Sequence, residues 1–354
     1  MGKTGLMVSR VGMGGIPITR PQENEAIKVI QRALDLGVNF IDTASGYGLG
    51  SSEKRIGKAV KDRRDKVIIA TKTASVTEVG ASRSLERSLR QLNTDYIDLW
   101  QLGNVTTFDK YEKLLSSDGA LKISKEASRS GKVRNVGIST HNMAVAVKAV
   151  SSDLFETIQF PFNLIADEAA EELVPMAKEH DVGFIAMKPF AAGHIKDANL
   201  AINFLLQFDN VVPDPGIETI EELEEIVRIV NGSWDLTQRE RRAIGEIHEK
   251  MESRFCRHCE ECSPCPRGVH IPQLLYLTAA YKLRSTEWFR RGVEAHLKSW
   301  EECDLCGDCE EKCPFKLHIR EMIAENINFY EKVTQEFAES ENRVIMNEKC
   351  YGRR

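Results

Sequence analysis

Eight of the chain's nine cysteines fall in two short runs, and the 255 residues ahead of them contain none. Cys256 to Pro266 reads CRHCEECSPCP, with spacing C-x2-C-x2-C-x2-C-P. Cys303 to Pro314 reads CDLCGDCEEKCP, with spacing C-x2-C-x2-C-x3-C-P. Thiolates two residues apart on a tight loop reach neighbouring corners of an iron–sulfur cubane. In two-cluster proteins the cysteine before the proline ligates the other cluster. Cys256, Cys259, Cys262 and Cys265, with Cys303, Cys306, Cys309 and Cys313, supply enough ligands for two 4Fe–4S clusters. Pro266 and Pro314 end each loop and block helix continuation.

Two zinc sites are the alternative. Structural zinc sites usually pair two C-x2-C units across a longer spacer, which is not the pattern here. The first run is one residue shorter than the ferredoxin spacing, which leaves open whether its cluster is a complete, crosswise one. Two helical segments separate Cys265 from Cys303, as in an α-helical ferredoxin rather than a compact β-containing one. His258, His270 and His318 lie near the runs, but the cysteines already suffice, so packing or surface roles are expected. Cys350 reads as a bland thiol near the tail.

The elements that must position these loops change character along the chain. Residues 1 to about 235 alternate short β-branched runs with helical stretches: RVGMGGI, VNFID, KVIIATK, YIDLWQL, KVRNVGIS, TIQF, VGFIAMK and VVP, each followed by an amphipathic segment. Continuous apolar strands alternating with helices mean a parallel sheet covered on its outside. Eight such units in roughly 230 residues fit a closed (β/α)8 TIM barrel. A doubly wound open sheet is the alternative, but no G-x-G-x-x-G follows the first strand. T-x-x-E capping boxes open helices at Thr219 and Thr237. Beyond them, 272–283, 287–298 and 319–338 look helical and no strand follows. The expected organisation is a barrel over 1–235 and a small α-helical ferredoxin-like domain over 236–354, with Trp288 and Trp300 in its core.

Composition adds exclusions. Hydrophobic residues make up 42% and charged residues 29% of the chain, which suits a soluble globular protein with a real core. The net charge of −5 and the lack of a basic patch exclude nucleic acid as an expected partner. No apolar stretch approaches the roughly 20 residues a membrane helix needs, and MGKTGLMVSRVG has no apolar core of a secretory signal. A cytoplasmic location with no membrane partner is expected.

The first 232 residues resemble the aldo/keto reductase family. GKTGLMVSRVGMGG, NFIDTASGYGLGSSEKRIGKAV, VIIATK, DYIDLWQL, VRNVGIS and GFIAMKPFAAG occur in that family's order. The tail CRHCEECSPCPRGVHIP with its later CP motif resembles the subgroup bearing a C-terminal ferredoxin-like domain. The resemblance implies an oxidoreductase that reduces a small carbonyl, or oxidises an alcohol, with NADH or NADPH. It makes Tyr47 the proton donor, Lys72 its neighbour and Asp42 the partner of the lysine. A free tyrosine has a pKa of about 10, and an adjacent ammonium favours the phenolate. The alternative is an ion pair that only ties strand ends.

The resemblance also implies that Ser139 and Gln159 hold the nicotinamide carboxamide, with Thr140 where asparagine is common. Met187 takes the ring-stacking place, and Gly216 belongs to the dinucleotide-phosphate loop PDPGIETIEELEE. That loop carries Glu218, Glu221 and Glu222 and no cation, whereas a 2′-phosphate wants cationic partners. Glu53 reads equally as a nucleotide contact or a helix-start carboxylate, and His141 as packing. Gly103 stands where the family usually has a histidine that polarises the carbonyl. Nicotinamide moves two electrons as hydride while clusters move one, so a bridge or a ferredoxin-like redox partner enters the expectation. The competing reading is an electron-transfer or scaffold protein whose barrel has lost catalysis.

Overall fold

The computed structural model describes residues 1–283, 289 and 292–351. Trp288, the first part of the helix expected over 287–298 and the side chain of Cys350 lie outside the described residues.

The eight apolar runs form eight parallel strands in sequential order. They are β1 (Met13–Gly14), β2 (Phe40–Asp42), β3 (Ile68–Thr73), β4 (Ile97–Leu102), β5 (Val133–Ser139), β6 (Thr157–Pro161), β7 (Gly183–Met187) and β8 (Val211–Asp214). The sheet closes on itself. Gly12 and Gly14 donate their backbone N–H groups to the carbonyls of Pro213 and Pro215 at 2.8 and 2.7 Å, and Gly14 bridges in parallel to Gly216. Closure removes the sheet edges that would otherwise invite pairing with another chain.

Helices α1 (Glu23–Asp35), α2 (Ser51–Ala59), α3 (Glu78–Leu92), α4 (Phe108–Leu115), α5 (Ala120–Arg129), α6 (Met143–Val150), α7 (Leu173–Glu179), α8 (Ala198–Leu206) and α9 (Ile220–Val230) cover the sheet. Each turns an apolar stripe inward; α1 buries Ala26, Val29, Ile30 and Ala33. A fully buried side chain such as Ile30 contributes about 1.5–3 kcal/mol. Both expected capping boxes form: Thr219 with Glu222, and Thr237 with Glu240 at the start of α10 (Gln238–Met251). The amphipathic segment after β4 is two helices, α4 and α5. The break falls at Gly119, where a Cβ would lie 2.2 Å from the Leu114 carbonyl oxygen.

The chain divides into two compact units, 1–260 and 261–354. The sequence reading put this boundary at 235. The later division arises because Phe255 packs with Leu164, Ile165, Ala191 and Ile195, and Ile244, Ile247 and Met251 of α10 pack against the same cluster.

The second unit contains α11 (Ile271–Leu275), α12 (Leu277–Leu283), α13 (Glu294–Trp300), α14 (Asp308–Glu311) and α15 (Ile319–Tyr351). Ala280, Phe289 and Val333 form its small core, ringed by Tyr276, Tyr281, Phe329 and Tyr330. Among the described residues, no helix is long and apolar enough to cross a membrane.

Candidate active site and cysteine loops

Parallel barrel strands all point the same way, so the residues ending them gather at one face. Asp42 ends β2 and Lys72 lies near the end of β3, both buried. Lys72 Nζ donates to Asp42 Oδ2 and, at 2.9 Å, to the Thr43 carbonyl. Gln101 on β4 donates to the other carboxylate oxygen of Asp42 at 2.9 Å. Tyr47, half-buried in the loop after β2, sets its ring centroid 5.3 Å from the Lys72 ammonium. Burial works against the charge on Lys72, but Asp42, Tyr47 and Asp214 hold its pKa above the usual amine value. The three expected catalytic residues therefore converge.

Asp214, at the end of β8, joins them, and the sequence reading passed over it. It is 6% exposed and accepts a hydrogen bond from Gln159 Nε2 at 3.3 Å. Burial first, and then the charge of Asp42, raise its pKa well above the carboxylate range. Lys72 is ion-paired with Asp42, and Asp214 adds to the negative field around it. No sequence pattern marks the pairing, because strands two and eight become close only when the barrel closes.

Gly103 follows β4 with its N–H on the Thr73 carbonyl at 2.8 Å. A Cβ there would lie 3.3 Å from both Lys72 Cβ and the Thr73 carbonyl oxygen. Any larger side chain at this position must displace the lysine's stem by a few tenths of an ångström. Asn104 beside it has a left-handed backbone, φ 60°.

The expected cofactor residues occupy the opposite arc. Ser139 ends β5, Thr140 follows it, Gln159 lies on β6 and Met187 ends β7; the first three are buried and Met187 is half-buried. Among the described residues, Gln159 Oε1 has no hydrogen-bond partner although it is buried. Such an acceptor costs about 1–3 kcal/mol unless something donates to it, and a carboxamide N–H would. These residues fit a nicotinamide.

Gly216 tolerates no side chain, since a Cβ would lie 2.8 Å from Pro17 Cγ. The phosphate loop after it gains a cation from elsewhere in the chain: Arg20 Nη1 lies 3.0 Å from Glu218 Oε2. Glu53 is fully buried and accepts from Thr71 Oγ1 at 2.6 Å, which makes it a packing group under the site.

The two cysteine loops share a backbone conformation. In the first, His258 and Glu260 flank Cys259 with φ of 60° and 65°; in the second, Leu305 and Gly307 flank Cys306 with φ of 60° and 89°. Alternation of right- and left-handed residues makes a concave nest of N–H groups suited to an anionic cluster. The His258 N–H already points at Cys256 Sγ, at 3.4 Å. Within the second unit, Cys262, Cys265, Cys303, Cys306 and Cys309 line one cavity together with Trp300 and Arg320. Trp300 is therefore a half-buried wall of that cavity, not the core residue its sequence position implied. The geometry is that of a cradle to which both runs contribute.

Residues 257–260, which belong to the first unit, are also fastened to the strand-end face of the barrel. Arg257, 7% exposed, donates to Glu168 Oε1 at 2.9 Å and to the Ile165 carbonyl at 3.2 Å, both beyond β6. Thr106, beyond β4, donates to Glu260 Oε2 at 2.6 Å. Asn142, beyond β5, reaches the Cys259 carbonyl at 3.5 Å. His141, also beyond β5, meets His258 edge to face at 6.3 Å.

A barrel with Asp42, Lys72 and Asp214 at its strand ends and Tyr47 in the adjoining loop, followed by a cysteine cradle, marks a redox protein. The chain belongs to the aldo/keto reductase family, whose model matches residues 10–239, and carries a 4Fe-4S dicluster domain over residues 255–318. Among curated relatives, aldo-keto reductase YhdN of Bacillus subtilis is 34% identical over 196 residues, 51% of this chain and 57% of that protein. Uncharacterized oxidoreductase YqkF of the same organism is 30% identical over 212 residues, 56% of this chain and 67% of that protein. The match thus spans between about half and two thirds of these relatives. The holo form of aldo-keto reductase AKR11C1 from Bacillus halodurans superposes with a TM-score of 0.61 at 26% identity, covering 70% of this chain and 94% of that one. An aldo-keto reductase from Klebsiella pneumoniae in complex with NADPH shares the fold, with a TM-score of 0.58 at 19% identity and coverage of 68% and 91%.

Proposed function

We propose that the protein is a nicotinamide-dependent oxidoreductase that interconverts a small carbonyl and its alcohol, with two 4Fe–4S clusters in attendance. The observation that carries this reading is the convergence of Tyr47, Lys72 and Asp42 opposite the unpartnered Gln159 acceptor. When bound, the nicotinamide supplies or takes hydride, and the clusters move single electrons.

The chain's own residues do the rest. Tyr47 gives its phenolic proton to the carbonyl oxygen, or takes it back in alcohol oxidation. Lys72 holds a positive charge beside that phenol. Asp42 fixes the lysine and is itself fixed by Gln101. Ser139 and Gln159 orient the carboxamide, with Thr140 beside them and Met187 as the apolar platform against the ring. Gly216 keeps the phosphate loop open to a pyrophosphate at the start of α9. Gly103 leaves the carbonyl without a histidine donor and widens the pocket on the β4 side, which suits a substrate that supplies its own hydrogen bond. Cys303, Cys306 and Cys309, joined by Cys265 across the shared cavity, are the ligands of one cluster. By sequence spacing alone, Cys256, Cys259 and Cys262, with Cys313 crosswise, are the ligand set for the second. A ferredoxin-like carrier is the fitting redox partner.

The missing donor at Gly103 specifically favours the second reading, in which the barrel has lost catalysis and serves as a scaffold. One titration separates the two. Anaerobically purified protein is mixed with NADH and with NADPH while nicotinamide fluorescence and cluster absorbance are followed. Saturable binding with turnover of a carbonyl panel is the expected result. Failure to bind either nucleotide would move the protein to the scaffold reading.

A further inference from the structure

Asp214 and Gln159 are joined by one hydrogen bond and each keeps one oxygen in reserve. Gln159 Nε2 donates to Asp214 Oδ2 at 3.3 Å, and among the described residues neither Asp214 Oδ1 nor Gln159 Oε1, both buried, has a hydrogen-bond partner. Strand register explains the contact. Gln159 on β6 is level with Ile185 on β7, which is level with Val212 on β8; Asp214 lies two residues beyond Val212 and is level with Met187. Residues two apart on a strand face the same way, and Ile185 and Val212 pack in the barrel interior with Phe40, Ala70 and Leu99. The Gln159 amide therefore reaches over β7, inside the barrel, to the end of β8.

A primary amide donates from one end and accepts at the other. With Nε2 committed to Asp214, Oε1 is turned away from it. A reversed amide would set Oε1 against a carboxylate oxygen, acceptor to acceptor. Protonation of Asp214, which burial favours, does not undo this, because Oδ1 has room for the proton and Oδ2 still accepts. Bare backbone holds the carboxyl in place: a Cβ on Gly12 would lie 3.2 Å from Asp214 Oδ1 and 2.6 Å from Phe40 Cδ1. A buried carboxyl costs stability that an apolar residue at the end of β8 would not, so packing alone does not account for Asp214.

We propose that Asp214 is a positioning residue for the nicotinamide: by holding Gln159 Nε2 it presents Gln159 Oε1 as a fixed acceptor, so that the site selects a ring whose substituent donates an N–H. This rests on the nicotinamide reading given above. Asp214 touches no reacting atom and acts through Gln159.

The test compares the nicotinamide nucleotide with its 3-acetylpyridine analogue, which keeps the ring, the carbonyl and the adenosine half but has a methyl group in place of the NH2. Dissociation constants are measured by calorimetry on the anaerobic full-length holoprotein, with whichever of NAD+ and NADP+ it binds. The parent should bind the analogue about tenfold more weakly, because a buried acceptor is left without its donor. In Asp214→Leu the ratio should shrink to about twofold, since the released amide can turn either end to the ring. Asp214→Asn, which still offers an oxygen to Nε2, should keep the parent ratio. Gln159→Leu should lower the ratio as Asp214→Leu does, and the double variant should lower it no further. The ratio cancels any change in packing or charge that acts on both nucleotides alike. An unchanged ratio in a folded Asp214→Leu protein would overturn the proposal. So would a further fall when Asp214→Leu is added to Gln159→Leu, or a parent that binds the two nucleotides equally. If Asp214→Leu does not fold, Asp214→Ala carries the same expectation. A parent that binds neither NAD+ nor NADP+ would instead defeat the nicotinamide reading on which the proposal stands.

Discussion

Lys72 directs its ammonium from β3 to Asp42 on the neighbouring strand, and Asp42 has its second oxygen occupied by Gln101 from β4. Three adjacent strands thus fix one cation, and the phenol ring of Tyr47 lies beside it. A pair that merely tied strand ends would not need the third strand or the aromatic neighbour.

Tyr47→Phe removes the proton donor and keeps the ring. Turnover should fall by about 10²–10⁴-fold, the usual contribution of a positioned acid–base group. Nucleotide affinity, measured by nicotinamide fluorescence, should stay within about twofold, because the contacts to the carboxamide lie on the opposite arc. Unchanged turnover would remove Tyr47 from the mechanism.

Lys72→Met leaves a buried carboxylate pair without its cation. Unpairing a buried charge costs about 3–5 kcal/mol, so the barrel's melting temperature should drop by several degrees. The folded pKa of Lys72 is raised, so its contribution is intact below the unfolded value of about 10.4 and is lost only as pH rises through the folded value. The gap between parent and variant should therefore persist across neutral pH. A gap that vanished near pH 7 would contradict the assignment.

Asp214 has the opposite consequence. Its pKa is raised in the fold, first by burial and then by Asp42. Stability linked to such a group is full below about 3.9 and declines as pH rises through the folded pKa. Asp214→Asn abolishes that decline. Thermal melts between pH 4 and pH 8 should show the variant gaining on the parent as pH increases. Parallel curves would show that Asp214 ionises at no cost.

Arg20 is held by Glu218 beside the loop that would carry the adenosine phosphate. Glu218→Gln removes the competing carboxylate. Affinity for NADPH should rise roughly tenfold, about 1.4 kcal/mol, while that for NADH changes little. Equal gains for both nucleotides would show that Arg20 does not read the 2′-phosphate.

The strands, their order and their ends could be read from the chain because each is a short apolar run between amphipathic segments, and eight runs allow closure. That Asp42, Tyr47 and Lys72 lie at one face was legible for the same reason, since they end or closely follow barrel strands, whereas their roles came from the family resemblance alone. Asp214 was not, because the proximity of β8 to β2 exists only after closure. Arg20 was not, because it approaches the phosphate loop from 198 residues away. The sequence marks where strands cease, whereas the compact unit that holds the barrel runs on to Glu260 because α10 and Phe255 pack on it.

The division at Glu260 cuts the first cysteine run in half: Cys256 and Cys259 belong to one compact unit, Cys262 and Cys265 to the next. A fragment ending at Glu260 would keep every strand yet possess two thiols of that run, and a fragment beginning at Glu261 would hold the other two. Gene-splitting experiments that treat the protein as a detachable reductase plus a detachable ferredoxin should therefore yield two iron-poor halves. During translation the barrel emerges first, and iron loading at the first run must await the ribosome's passage beyond it.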